Sequence, residues 1–143
     1  MRKLTFAAFF TLVFGLLIAP AFAQEPMTVE ERPEPRSIRA IAGSASTGQW
    51  SPSHVTARDQ ALATRSASDS AIRLCAQLSR ASDCQVLATF GPGAACGTIA
   101  RSTPGFIVAG TGPTPEAARA AALQSCQASG RRCQPSARVY CYR

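Results

Sequence analysis

The sequence predicts an α+β fold: two strand–strand–helix–strand repeats form an antiparallel sheet, two helices pack on it, and disulfide bonds staple the domain. The pair Ile41-Ala42 recurs as Ile99-Ala100, each half then offers a helix, and cysteines stand at matching places in both halves. Because the order of turns, helices and cysteines agrees, we expect two internal repeats, about 38–90 and 96–142, within one domain of residues 38–143.

Each repeat begins with a predicted β-hairpin. A glycine-bearing turn follows the Ile-Ala pair in both halves, Ser46-Thr47-Gly48 in the first and Thr103-Pro104-Gly105 in the second, and leads to an aromatic residue, Trp50 or Phe106. Such turns between apolar runs are typical of hairpins. The step from hairpin to helix is longer in the first repeat, around residues 53–60.

The first helix is predicted from a capping pattern and an apolar face. Ser66 can cap the helix, and Asp69 three residues later can complete a capping box. With 3.6 residues per turn, one face carries Ala71, Ile72, Leu74, Cys75 and Leu78, and we expect it to be the buried face.

The second helix has a clearer start. Thr114 is a favourable N-cap, Pro115 suits the first helical position, and Glu116 favours the positive end of the helix. The body that follows, residues 117–128, is rich in alanine and has high helix propensity.

The N-terminus reads as a signal peptide followed by a linker. Arg2 and Lys3 precede an apolar run over residues 4–19, and small residues then predict cleavage after Ala23. The alternative is an uncleaved membrane anchor, although the run is short for a span. Residues 24–37 hold prolines and glutamates and predict a flexible linker. We therefore expect a periplasmic or secreted protein with no stable membrane span after cleavage.

Six cysteines in an exported chain predict a disulfide framework. The repeat suggests that Cys75–Cys84 and Cys126–Cys133 each join a helix end to the next strand. Cys96 and Cys141 then remain, and we expect their pairing to lock the two halves together. No Cys-x-x-Cys spacing or histidine cluster points to a redox or metal site.

The sequence assigns no catalytic residue, metal ligand or cofactor. His54 is the single histidine, and no serine stands in a nucleophile motif. An envelope hydrolase would need His54 with a serine or with Asp59, Asp69 or Asp83. Removal of the signal peptide lowers the net charge from +7 to +5, and the arginines are dispersed. We therefore expect no nucleic-acid partner.

A non-enzymatic binding or inhibitor module is the function that the sequence favours, with a protein or an envelope component as its partner. The candidate binding surface comprises Trp50, His54, Arg131 and Arg132. The alternatives are the hydrolase using His54, and a structural envelope protein that has no discrete ligand.

Several of these motifs together resemble one bacterial family of exported proteins, the "domain of unknown function 4189" family. The resemblance rests on Arg39-Ala40-Ile41-Ala42, the Ser46-Thr47-Gly48 turn, Ala71-Ile72 with Cys75 and Cys84, the stretch Ala95 to Ala100, Gly112-Pro113-Thr114 before Glu116-Ala117, and Ala121-Ala122-Leu123 with Cys126 and Cys133. It covers about Ile38 to Cys141. The resemblance implies secretion and a shared fold, and it allows no site to be carried over as catalytic.

Overall fold

The computed structural model describes residues 34–103 and 105–142. The predicted signal peptide (1–23) and most of the predicted linker (24–37) lie outside the described residues. The elements in chain order are β1 (Arg36–Ser44), β2 (Trp50–Ala57), α1 (Gln60–Ser79), β3 (Cys84–Phe90), β4 (Cys96–Ser102), β5 (Phe106–Gly112), α2 (Pro115–Gln127), β6 (Gln134–Pro135) and β7 (Tyr140–Cys141). The protein is therefore an α+β fold, and β1 begins slightly before the expected domain start at Ile38.

The strands form two antiparallel sheets, whereas the sequence suggested one. In the first sheet β1 lies between β2 and β3; in the second β4 lies between β5 on one side and β6 and β7 on the other. Because β1 and β4 are each paired along both edges, neither can join the other in a single sheet. The first half has the strand–strand–helix–strand order, whereas the second half ends in two strands of two residues each, β6 and β7. The two internal repeats, and an origin by duplication, stay predictions.

The two sheets face each other across an apolar core, and each helix covers an outer face. Ile41 and Ile99 are buried between the sheets, whereas their neighbours Ala42 and Ala100 pack beneath α1 and α2. This division follows from the alternation of side chains along a strand. The sheets approach closely at Gly97, where a Cβ atom would lie 2.7 Å from Ile41 Cδ1.

Helix α1 begins earlier than the sequence predicted. Its N-cap is Asp59, whose carboxylate accepts a hydrogen bond from the backbone N–H of Leu62 at 2.9 Å. Ser66 and Asp69 lie inside the helix, so the capping box predicted there is wrong. The extra residues of the first repeat therefore belong to the end of β2 and the start of α1.

The buried face of α1 agrees with the predicted one at Ala71, Ile72 and Cys75 but not at the two leucines. Its buried residues are Ala63, Ala67, Ala71 and Cys75, whereas Leu74 and Leu78 are exposed. The helix approaches the sheet so closely that Ser53 and Ser51 of β2 donate hydrogen bonds to the carbonyls of Ala67 and Ala71. At that separation only small side chains fit, and the leucines lie outside the contact.

Helix α2 begins as predicted and packs in the same way. Thr114 is the N-cap and accepts from the N–H of Ala117 at 3.2 Å, with Pro115 in the first turn. Its buried residues, Ala118, Ala122 and Cys126, again recur every fourth position. Neither helix of the described residues is both long enough and apolar enough to cross a membrane.

Three disulfide bonds complete the domain. They join Cys75 to Cys84, Cys126 to Cys133, and Cys96 to Cys141, which are the pairs that the aligned halves suggested. The first two each connect a helix to the chain just beyond it. The third holds the short strand β7 against the start of β4, where Cys96 and Cys141 are register partners. Both strands belong to the second sheet, so the expectation that this bond locks the two halves together is wrong.

Candidate binding groove

The hairpin turn between β1 and β2 is fixed by the carboxylate of Asp83. Ser44 Oγ donates to it at 2.6 Å, and Ser46 donates from both its backbone N–H and its hydroxyl at 2.9 Å. These hydrogen bonds, the one from Ser44 first, lower the pKa of Asp83 from 3.8 to about 2 because they stabilise the carboxylate. At neutral pH the turn is therefore held by a charged anchor.

Two open cavities adjoin this turn and share Gly48, Arg101 and Gln134 in their walls. The first has a volume of about 270 Å³ and lies between the turn and the residues around Phe106. The second has a volume of about 360 Å³ and extends from Trp50 to residues 134–138. Because the cavities share walls, we treat them as one feature, the Arg101 groove.

Arg101 reaches the groove because of its position in β4. It follows Ile99 by two residues and therefore lies on the face of the sheet that carries the inter-sheet core. Its Nη1 atom lies 2.9 Å from the point where a Cβ atom of Gly48 would stand. Gly48 also has a φ of +68°, which favours glycine. The turn thus has a glycine where its backbone favours one and where the end of the arginine side chain comes close.

The groove carries positive charge that is available to a ligand. Arg138 lines the second cavity together with Arg101, and none of the described lining residues is acidic. Arg131 lies over the ring of Phe106, in the wall of the first cavity, with its Cζ atom 4.8 Å from the ring centroid. Asp83, bound to Ser46, adds one negative charge at the rim.

The four residues predicted as a binding surface do not form one surface. Trp50 is only 8% exposed and belongs to the core between the sheets, and it also lines the second cavity. Arg131 adjoins the groove through Phe106. Arg132 is exposed and is not among the lining residues.

His54 lies in a different part of the molecule, on β2 opposite Arg39 of β1. Its ring centroid is 4.6 Å from that of Tyr142, and its Nε2 atom is 3.3 Å from the hydroxyl of Thr56. It is half-buried by these neighbours. His54 is therefore part of a packed cluster.

The acids considered for a hydrolase are not placed beside His54. Asp59 caps α1, and Asp83 is bound by two serines. Asp69 lies on α1, which covers the outer face of the first sheet, whereas His54 shares the inner face with Arg39. Within residues 34–103 and 105–142, no contact supplies His54 with a carboxylate, and the hydrolase alternative gains no support from these positions.

Four residues of these sites were not predicted from the sequence: Arg39, Arg101, Arg138 and Tyr142. Arg39 and Arg101 each stand two positions from a buried isoleucine, so strand alternation was a usable signal for both. Nothing local marks Arg138. Tyr142 follows Cys141, and only the Cys96–Cys141 bond indicates which strand it approaches.

Comparison with known proteins gives one match. The family model described as "Domain of unknown function (DUF4189)" matches residues 39–141. No curated protein and no solved structure matches the chain. The matched range runs from β1 to β7 and therefore includes both sheets, both helices and all six cysteines.

Proposed function

Because this chain belongs to the DUF4189 family, whose description names no activity, we propose a function from its groove. The protein is an exported, disulfide-stapled binding module of the inhibitor type. It takes an extended acidic segment of a partner protein into the Arg101 groove.

The observation that carries this proposal is the pair of cavities that meet at Arg101. A guanidinium binds carboxylates with two parallel hydrogen bonds, and it keeps its charge at any physiological pH. Arg138 lies in the second cavity, so one extended chain can place successive carboxylates along the groove. Asp83 fixes the turn that forms one wall of the groove. Binding therefore costs little conformational entropy in that turn.

Export is the second part of the proposal. The N-terminal sequence has the three parts of a signal peptide, with a small-residue cleavage site ending at Ala23. Three disulfide bonds are typical of proteins in oxidising compartments. The two observations are independent, because the cysteines all lie in the folded domain.

Titration with a short acidic peptide tests the groove. The probe is acetylated hexaglutamate, with hexaglutamine as the neutral control, and the signal is the fluorescence of Trp50, the single tryptophan, which lines the second cavity. We expect hexaglutamate to change the emission saturably. Arg101→Gln should weaken binding by about tenfold or more, because it removes a charge-assisted interaction.

The matched control is Arg73→Gln. It removes the same charge from an exposed position on α1, on the outer face of the first sheet. If binding requires the groove, R73Q leaves the affinity nearly unchanged. Equal weakening by R73Q and R101Q would show attraction to the overall positive charge and would overturn the proposed site.

Export is tested by the intact mass of protein purified from an oxidising compartment. We expect a chain beginning at Gln24, with no thiol that reacts under denaturing, non-reducing conditions. A chain that retains Met1, or free thiols in the folded protein, would contradict this part of the proposal.

A further inference from the structure

A row of three side chains crosses the first sheet at the end far from the hairpin turn. Arg39 of β1 is the register partner of His54 in β2 and of Phe90 in β3. Register partners project from the same face of a sheet. Arg39 precedes Ile41 by two residues, so the row lies on the face that carries the inter-sheet core.

Arg39 is buried without adequate partners. It is 4% exposed, and its Nε and Nη1 atoms are buried without a hydrogen-bond acceptor among the residues that the structure describes. Burial of an arginine costs free energy unless its charge and its N–H groups are satisfied. Two of the three guanidinium nitrogens therefore lack an acceptor for their N–H groups among the described residues.

Aromatic rings compensate part of this cost. The Cζ atom of Arg39 lies 4.0 Å from the ring centroid of Tyr142 and 5.9 Å from that of Phe90. These cation–π contacts act on the faces of the guanidinium. They supply no acceptor in its plane, which is where its N–H groups point.

Tyr142 covers this arginine from a position that allows its ring to move. Its backbone N–H donates to the carbonyl of Ala95 at 2.9 Å, and the preceding Cys141 is bonded to Cys96. The hydrogen bond and the disulfide thus anchor the backbone, while Tyr142 is 43% exposed. Rotation about its side-chain bonds uncovers Arg39 without moving a strand.

We propose that Arg39 is the anchor of a second binding site, which takes a carboxylate-bearing aromatic molecule when the ring of Tyr142 turns aside. The carboxylate receives hydrogen bonds from the guanidinium in its plane. The aromatic part of the ligand packs among His54, Phe90 and the displaced Tyr142. This site is separate from the Arg101 groove and does not depend on the function proposed for it.

Benzoate is the probe, and benzamide is the matched neutral control. The readout is the ring Hε1 resonance of His54, which is unambiguous because the chain has one histidine. Titrations are made on the full mature chain at fixed pH and ionic strength. We expect benzoate to shift this resonance saturably, and benzamide and sulfate to shift it at least about tenfold less at equal concentration, because a buried charged hydrogen bond discriminates by such factors.

Three variants separate the site from a merely structural arginine. Arg39→Met should abolish the saturable shift while the protein stays folded, as judged by circular dichroism. Tyr142→Ala removes the cover and leaves Arg39 intact, so we expect benzoate to bind faster and severalfold more tightly. Arg101→Gln should leave the benzoate shift unchanged, because its side chain lies in the groove.

The proposal fails if neither the natural chain nor Y142A gives a saturable shift with benzoate, a result that holds even if R39M does not fold. It also fails if folded R39M binds benzoate as the natural chain does, or if sulfate competes equally. The first outcome shows that the aromatic rings alone accommodate the buried charge. The second and third show that Arg39 does not select a carboxylate.

Discussion

Removal of the Cys96–Cys141 disulfide should destabilise the domain more than removal of Cys126–Cys133. The sequence separations are 45 and 7 residues. If a disulfide acts mainly by restricting the unfolded chain, these separations correspond to about 4 and about 2.4 kcal/mol at 25 °C. The expected difference in the free energy of unfolding between the two double cysteine-to-alanine variants is therefore about 1.6 kcal/mol.

The two pairs are matched in other respects. Cys96 and Cys126 are both buried, and the second sulfur of each pair is more accessible, so loss of packing is similar in the two variants. Urea unfolding followed by Trp50 fluorescence measures the effect, because that ring lies in the inter-sheet core. With a slope of about 1.5 kcal/mol/M, the midpoints should differ by about 1 M urea.

Equal midpoints, or a lower midpoint for the Cys126–Cys133 variant, would refute this reasoning. Either result would mean that local geometry in the folded state governs the stability of these bonds and that loop length does not. The Cys75–Cys84 variant, with a separation of 9 residues, should fall close to the Cys126–Cys133 variant.

Three further experiments test the packing, the turn and the helix start. Gly110→Ala should destabilise by about 3 kcal/mol, because its Cβ would lie 2.1 Å from the backbone of α2, whereas Gly93→Ala, with nothing within 4 Å, should change stability by less than about 0.5 kcal/mol in the same urea assay. Asp83 has a lower pKa in the folded state, so its contribution to the free energy of unfolding is present above pH 4 and is lost as the pH falls towards 2. The urea midpoint of Asp83→Asn should therefore fall less between pH 5 and pH 2.5 than that of the natural chain. An equal fall would contradict the role of Asp83 as the anchor of the turn. Asp59→Ala should cost about 1 kcal/mol and Ser66→Ala close to nothing, and the reverse order would restore the helix start that the sequence suggested.

Local sequence patterns predicted the order of elements and the cysteine pairs. The start of α2 was predictable because Thr114 and Pro115 are strong local signals. The start of α1 was not, because Asp59 lacks an acidic or amide residue three positions later while Ser66 and Asp69 imitate a capping box. A hydrogen-bond pattern within four residues cannot reveal which of two caps the tertiary structure uses.

The buried faces and the site depend on contacts between distant parts of the chain. The hydrophobicity of Leu74 and Leu78 predicted that both are buried, but α1 lies so close to its sheet that only small side chains fit in the contact. Arg39 is covered in part by the ring of Tyr142, a residue that is distant from it in the sequence. The division into two sheets likewise depends on which strands pair, and strand alternation alone leaves that open.

The alanine at every fourth helical position also affects how the protein responds to temperature. Contacts made by Ala63, Ala67, Ala118 and Ala122 bring backbones together while burying little apolar surface. The heat capacity change on unfolding scales with the apolar surface exposed, so it should lie below the usual value of about 12–15 cal/mol/K per residue. A small heat capacity change flattens the stability curve, and this domain should keep a nearly constant stability from cold to warm surroundings.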